Sequence, residues 1–269
     1  MPRVLVNGAS IHVEDSGAGA ETVLFAHGLL WSGEMFRPQL EAFQNRFRCV
    51  TMDFRGQGRS ELVPSGYDMD TLTGDALGVI DKLGLGPVHF VGLSMGGFVG
   101  MRLAARRPEL IRSLALLETA ADVEPRINVP KYKAMTFLAR FVGFSPFAGT
   151  VMKIMFGEAF LRDPARAAEL EALRQELLAL NVIGVGRAVD GVIFRKPIAG
   201  ELSRIRAPTL VLHGEGDRAI ARPRSRAMAE AIPGARFVLL PRAGHTSTLE
   251  EPQAVNAALR EFWDSLPGQ

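Results

Sequence analysis

The chain has 269 residues, of which 47% are hydrophobic and 22% charged. That is ample for one large packed domain and too apolar for a disordered chain. Lys and Arg total 31 against 29 Asp and Glu, a net +2 with no run of like charges to concentrate it. This excludes the basic stripe of a nucleic-acid binder. A single cysteine, Cys49, excludes an internal disulfide and a cysteine-built zinc site. Within Arg48-Cys49-Val50-Thr51-Met52 it reads as a buried filler. No stretch approaches the ~18 consecutive apolar residues of a membrane helix. Met1-Pro2-Arg3-Val4-Leu5 leads into polar alternation with no signal-peptide pattern. A cytoplasmic protein with no membrane or nucleic-acid partner, monomeric or homodimeric, is the expectation.

Taken in order, Val4 and Val6, then Ile11 and Val13, flank Asn7-Gly8, a pair suited to the positive φ angles of a hairpin turn. Short β-rich runs follow at 22–26, 48–52, 88–92, 113–117, 209–212 and 236–240. They are nearly continuous apolar runs, as in parallel strands covered on both faces. Between them lie helical patterns, such as Leu72, Ala76, Leu77, Ile80 and Leu83 before the Gly84 stop. Val255, Leu259, Phe262 and Trp263 repeat that spacing after Pro252. The alternation predicts an α/β architecture: a mostly parallel sheet with helices on both faces and a leading hairpin.

One interval breaks the rhythm. Residues 121–207 show no strand, only helical patterns cut by Gly and Pro, and hold seven of the 16 phenylalanines. Part of this apolar material is expected to be the core of a helical subdomain and part to line a substrate pocket. Phe137, Phe141 and Met152 are the candidates for the pocket wall.

The stretch Val88-His89-Phe90-Val91-Gly92-Leu93-Ser94-Met95-Gly96-Gly97 carries the clearest chemistry. A β-run enters Gly-x-Ser-x-Gly, and a helix rich in small residues follows. Such a turn holds a nucleophile at a strained apex, and its glycines remove Cβ atoms that would collide. The helix N-terminus offers oriented N–H groups to developing negative charge. A serine hydroxyl needs a base and an acid to orient that base. His245, in a loop after the last strand, is the expected base. His27 and His213 each precede a glycine at a strand end and read as structural, as do His12 and His89. Asp217, beyond the run 209–212, is the expected acid, with Glu118 and Glu215 as competitors. The order Ser94, Asp217, His245, each beyond a strand, suits an open parallel sheet. Asp53-Phe54-Arg55-Gly56-Gln57-Gly58-Arg59-Ser60 lacks the Lys-Ser/Thr ending of a phosphate loop. It reads as a structural turn in which Asp53 and Arg55 bond backbone or each other. Arg37 and Arg195 are possible anchors for an acidic substrate, though a solvated arginine is the commoner case.

These residues resemble the α/β-hydrolase superfamily along essentially the whole chain. The resemblance rests on His27-Gly28, on 53–60, on Gly92-Leu93-Ser94-Met95-Gly96-Gly97, and on Gly244-His245 followed by Glu250-Glu251-Pro252. It implies the α/β-hydrolase fold: an eight-stranded sheet with strand two antiparallel and a helical cap inserted after strand six. The core is then 1–120 and 208–269, and the cap 121–207. It also implies an oxyanion hole formed by the backbone N–H groups of Leu29 and Met95. Trp31, just after the oxyanion loop, either walls the acyl pocket or packs under the cap.

The expected activity is that of a serine carboxylesterase taking a small or medium ester or lactone, with no metal and no organic cofactor. Enol-lactone hydrolases of aromatic catabolism, cofactor-free haloperoxidases or perhydrolases, and carbon–carbon bond hydrolases share the same scaffold. Haloalkane dehalogenases and epoxide hydrolases use an Asp nucleophile, and position 94 is Ser. A non-catalytic small-molecule receptor would have no chemical need for the intact triad.

Overall fold

The computed structural model describes residues 3–17 and 19–266. Eight strands form one sheet: β1 (Arg3–Val6), β2 (Ala9–Asp15), β3 (Thr22–Ala26), β4 (Arg48–Met52), β5 (Val88–Leu93), β6 (Ile111–Leu117), β7 (Thr209–Gly214) and β8 (Arg236–Leu240). Their order is β1-β2-β4-β3-β5-β6-β7-β8. β2 pairs antiparallel with both β1 and β4, and every later pair is parallel. The sequence turns expected at Asn7-Gly8 and Gly84 are present, with φ of 45° and 71° at the hairpin and 58° at the helix stop.

Outside the interval between β6 and β7 the helices are α1 (Arg37–Phe43), α2 (Met69–Leu83) and α3 (Met95–Arg106). That interval holds α4 (Val129–Val142), α5 (Ala148–Met155), α6 (Glu158–Leu161), α7 (Ala167–Ala179) and α8 (Val182–Ile193). The chain closes with α9 (Arg222–Ala231), α10 (Ser247–Glu250) and α11 (Pro252–Asp264). The α/β-hydrolase architecture expected from sequence is the one present.

Alternation along each strand supplies two apolar faces. In β3, Leu24 and Ala26 join one core layer, whereas Val23 and Phe25 join the other. This double burial is why the central strands read as unbroken apolar runs. Cys49 is fully buried in the second layer, and that burial pushes its thiol up to about 12. A smaller cluster of Ala139, Phe144, Val185, Val189 and Ile193 joins α4 to α8.

Because β4 lies on one side of β3 and β5 on the other, the strand order reverses at β3. A crevice opens at such a switch point, beyond the carboxyl ends of the strands. The segment His27-Gly28-Leu29 follows β3 and Ser94 follows β5, with Ala26 and Gly92 in register.

Candidate active site

Ser94 sits between β5 and α3 with φ 51° and ψ −108°. A non-glycine residue there carries strain of about 1–3 kcal/mol, sustained only when its surroundings over-determine it. Here they do. Ser94 N–H donates to Leu117 O at 2.8 Å, and Thr119 Oγ1 donates to Ser94 O at 2.8 Å. The flanking glycines are obligatory on steric grounds. A Cβ at Gly92 would lie 2.7 Å from Gly97 N, and one at Gly96 would lie 2.6 Å from the Ala26 carbonyl carbon. Real Cβ atoms essentially never come so close.

Asp217 and His245 come from the loops after β7 and β8. The Asp217 carboxylate lies 2.9 Å and 3.0 Å from His245 Nδ1 through its two oxygens. Asp217 Oδ1 also accepts the N–H groups of Ala219 at 2.8 Å and Ile220 at 3.0 Å. With Nδ1–H donating to the carboxylate, Nε2 is left as the free acceptor, as a general base requires. Ser94 and His245 line one cavity. The Ser94 hydroxyl has no hydrogen-bond partner among the described residues; such contacts often tighten only when substrate is bound.

The competing acids are placed elsewhere. Glu118, at φ 43°, is wholly buried and bonds Gly214 N–H at 3.1 Å and Ser247 Oγ at 2.9 Å. Burial, and then the nearby Asp217 charge, push it well above the usual carboxylate range. Its two oxygens are taken by Gly214 N–H and Ser247 Oγ, and neither bonds His245. Glu215 is exposed and faces Arg222 at 3.8 Å.

The remaining histidines have structural partners. His27 Nδ1–H donates to Gly28 O at 2.7 Å, and its Nε2 accepts Phe54 N–H at 2.9 Å. Burial holds this ring below the usual histidine range, consistent with the neutral tautomer those partners demand. His89 bonds Ser113 Oγ at 2.8 Å, and His213 stacks on Phe237. His12 lies 3.3 Å from the Arg59 guanidinium.

Leu29 and Met95 carry the two N–H groups expected to form an oxyanion hole. Neither has a protein acceptor among the described residues, and Met95 is the first residue of α3, where no intrahelical acceptor exists. Two positioning contacts were not anticipated. Gln57 Oε1 accepts Leu30 N–H at 3.0 Å while its Nε2 approaches Met95 Sδ, so one side chain grips both halves of this region. The buried Glu250 carboxylate accepts N–H groups from Gly157 at 2.7 Å, Gly244 at 2.9 Å and Thr246 at 2.9 Å. It thereby fixes both neighbours of His245. Glu250 was visible in the sequence as part of the Gly-His…Glu-x-Pro pattern, but its three donors were not.

The cavity has a volume of about 120 Å³. Its wall is mostly apolar, with Leu29, Phe98, Met135, Phe144, Met155 and Val189 among its residues. The expected pocket residues require correction. Phe137 and Phe141 are 58% and 74% exposed and lie outside the lining, because they occupy the opposite face of α4 from Met135 and Thr136. Met152 is buried in the core, one step round α5 from Val151 and Met155, which do reach the cavity. Trp31 is outside it too. It packs edge-on against Phe156 with ring centroids 5.7 Å apart, under the helices between β6 and β7. Arg195 is buried against Glu124 at 3.3 Å, and Arg37 pairs with Glu34 on the surface, so neither faces the cavity. Arg55 and Asp53 do not bond each other. Arg55 pairs with Asp75 at 2.6 Å, while Asp53 accepts backbone N–H groups of Gly33 and Arg59.

Residues 21–252 match the family model described as alpha/beta hydrolase fold. The chain belongs to the α/β-hydrolase fold family. Among solved α/β-hydrolase-like structures, the enol-lactonase from Burkholderia xenovorans LB400 superposes with a TM-score of 0.90 at 30% identity, covering 98% of this chain and 100% of that one. A thermophilic esterase from Thermogutta terrifontis gives 0.90 at 29%, covering 98% of each chain. A Pseudomonas syringae protein provisionally named carbamate hydrolase RutD is 28% identical over 93% of this chain and 96% of its own length. These relatives support a hydrolase of the α/β family. No helix among the described residues is long and apolar enough to cross a membrane.

Proposed function

We propose that this α/β-hydrolase is a serine carboxylesterase acting on neutral esters with an apolar acyl group. Ser94 attacks the ester carbonyl while His245 Nε2 takes its proton, and Asp217 stabilises the imidazolium at Nδ1. The Leu29 and Met95 N–H groups receive the oxyanion. His245 returns the proton to the departing alcohol and then activates water, which cleaves the acyl-Ser94 ester and releases the acid. The helices of 121–207 act as a cap, since Met135, Phe144, Met155 and Val189 from them roof the space above Ser94.

The observation that carries this reading is the joining of Ser94 and His245 in one apolar cavity, with a fully buried Asp217 carboxylate on His245 Nδ1. The substrate class follows from the lining. It includes no Lys or Arg and one carboxylate, Glu124. Such a wall disfavours a lactone or ester bearing a free carboxylate, because the anion would be desolvated with no cation lining the cavity to pair it, Arg195 being engaged by Glu124. Turnover of p-nitrophenyl butyrate is expected, with Ser94→Ala lowering kcat by about 10⁶-fold, to background. Undiminished turnover in that variant refutes the assignment. A panel adding a carboxylate-bearing lactone and a carbamate ester separates the neighbouring activities.

A further inference from the structure

The net charge of +2 hides a segregation. From Pro125 to Gly157 the sequence has five cations (Arg126, Lys131, Lys133, Arg140 and Lys153) and no Asp or Glu. The same segment and its immediate approach hold much of the exposed apolar surface. Of the ten large hydrophobic side chains exposed among the described residues, six are Val123, Ile127, Phe137, Leu138, Phe141 and Val142. Two more, Ile183 and Phe194, lie on or next to α8, which packs against α4.

Helix α4 is therefore apolar on two faces with different fates. Tyr132, Met135 and Thr136 line the cavity, and Ala139 is buried against α8. Phe137, Leu138, Phe141 and Val142 form a stripe on the opposite side, and Phe137 and Phe141 pack edge-on at 5.4 Å. At helical spacing Arg140 and Lys133 flank the Phe137/Phe141 pair on one side, and Lys131 lies on the other, between Leu138 and Val142. Lys133 is already paired with Asp190 of α8 at 2.9 Å, which leaves Lys131 and Arg140 as the cations of this face. Lys133 Nζ also lies 5.9 Å from the Phe194 ring centroid, extending the surface towards α8.

A solvent-exposed pair of phenylalanines in a cationic frame is costly unless something covers it. We infer that the outward face of α4 docks on an anionic lipid surface, lying in the headgroup plane with Phe137 and Phe141 inserted and Lys131 and Arg140 on the lipid phosphates. Charge complementarity selects this occupant. A second copy of the chain would set Lys131 and Arg140 against the same cations, the one carboxylate beside them, Asp190, being already held by Lys133. Interfacial binding of this kind needs only an apolar stripe and flanking Lys or Arg, not a spanning helix. It is independent of the hydrolase assignment, which uses the inward face of α4.

The test is co-sedimentation of the full chain with phosphatidylglycerol/phosphatidylcholine vesicles and with phosphatidylcholine vesicles alone, each at low and high salt. Uptake by the anionic vesicles is expected, weakened by salt. F137S/F141S should lower the partition coefficient by more than about tenfold, and K131E/R140E by at least about fivefold per removed cation. Both variants should keep the wild-type melting temperature and turnover of a water-soluble ester, because their side chains are exposed and outside the cavity. No uptake, equal uptake by phosphatidylcholine alone, or uptake unaffected by F137S/F141S overturns the inference. So does a concentration-dependent dimer that F137S/F141S dissolves in the absence of vesicle uptake, which would assign the face to a second copy.

Discussion

Asp217→Asn isolates the electrostatic part of the proposed machinery. In the wild type Oδ1 accepts the N–H groups of Ala219 and Ile220, while Oδ2 lies 2.9 Å from His245 Nδ1. An asparagine keeps its carbonyl oxygen on those two backbone donors, because turning the amide round would face N–H against N–H. Its NH₂ group then meets Nδ1. The imidazole must accept there, so its proton moves to Nε2, where the Ser94 proton should go. The loss is both the tautomer and the carboxylate's stabilisation of the imidazolium. A change of this kind lowers kcat by about 10⁴-fold, equivalent to about 5.4 kcal/mol of barrier. The fold should hardly notice: the weakened bond is worth about 1 kcal/mol, or a melting shift of about 2–4 °C for a chain of this size. The assay is kcat on p-nitrophenyl butyrate beside thermal unfolding followed by circular dichroism. A kcat within tenfold of wild type refutes Asp217 as the acid. A melting temperature lowered by more than about 10 °C refutes the claim that the two backbone donors fix the amide.

Gly96→Ala should cost about 1–3 kcal/mol or more in denaturant unfolding, since its Cβ meets the backbone carbonyl group of Ala26; a loss below about 1 kcal/mol contradicts that geometry. Glu250 is pushed by burial up to about 7 from an ordinary 4.5, against the opposing pull of its three N–H donors and of His245. Between those values the folded chain holds a proton that the unfolded chain has released. This group's contribution to stability is therefore fully present below pH 4.5 and lost as pH rises through 7. The unfolding free energy of wild type relative to Glu250→Gln should fall between pH 5 and 8, by up to about 1.4 kcal/mol per unit, and a flat difference argues against the shift. Cys49 should resist iodoacetamide at pH 8 until guanidinium unfolds the chain, given a thiol raised to about 12; rapid labelling of the native protein contradicts its burial.

Much of the candidate site was legible because its signals are local. The strand-turn-helix at Ser94 is written in adjacent residues, and the steric need for Gly92 and Gly96 arises within that turn and from the strand beside it. His245 was marked by its place after the last strand. The acid was less legible. Glu118, Glu215 and Asp217 all follow strands, and a sequence does not say which carboxylate turns towards the imidazole. The choice depends on Gly214 and Ser247 engaging Glu118 from two other segments. Gln57 and Glu250 were harder still, since their function consists of contacts to backbone groups tens of residues away or on separate loops.

The chain by itself determined that it is an α/β protein with a serine elbow, a candidate acid and base in the right order, and a helical interval over the sheet. Continuous apolar runs, turn residues and helical spacing report local conformation, and these features are local. Only the tertiary structure decided which side of α4 is pocket wall. Both of its faces are apolar, so periodicity could mark two stripes without ranking them. Packing against α8 turns Met135 and Thr136 inward and leaves Phe137 and Phe141 in solvent. The pocket is thus shaped by where one helix rests on another, a non-local choice that no window along α4 contains.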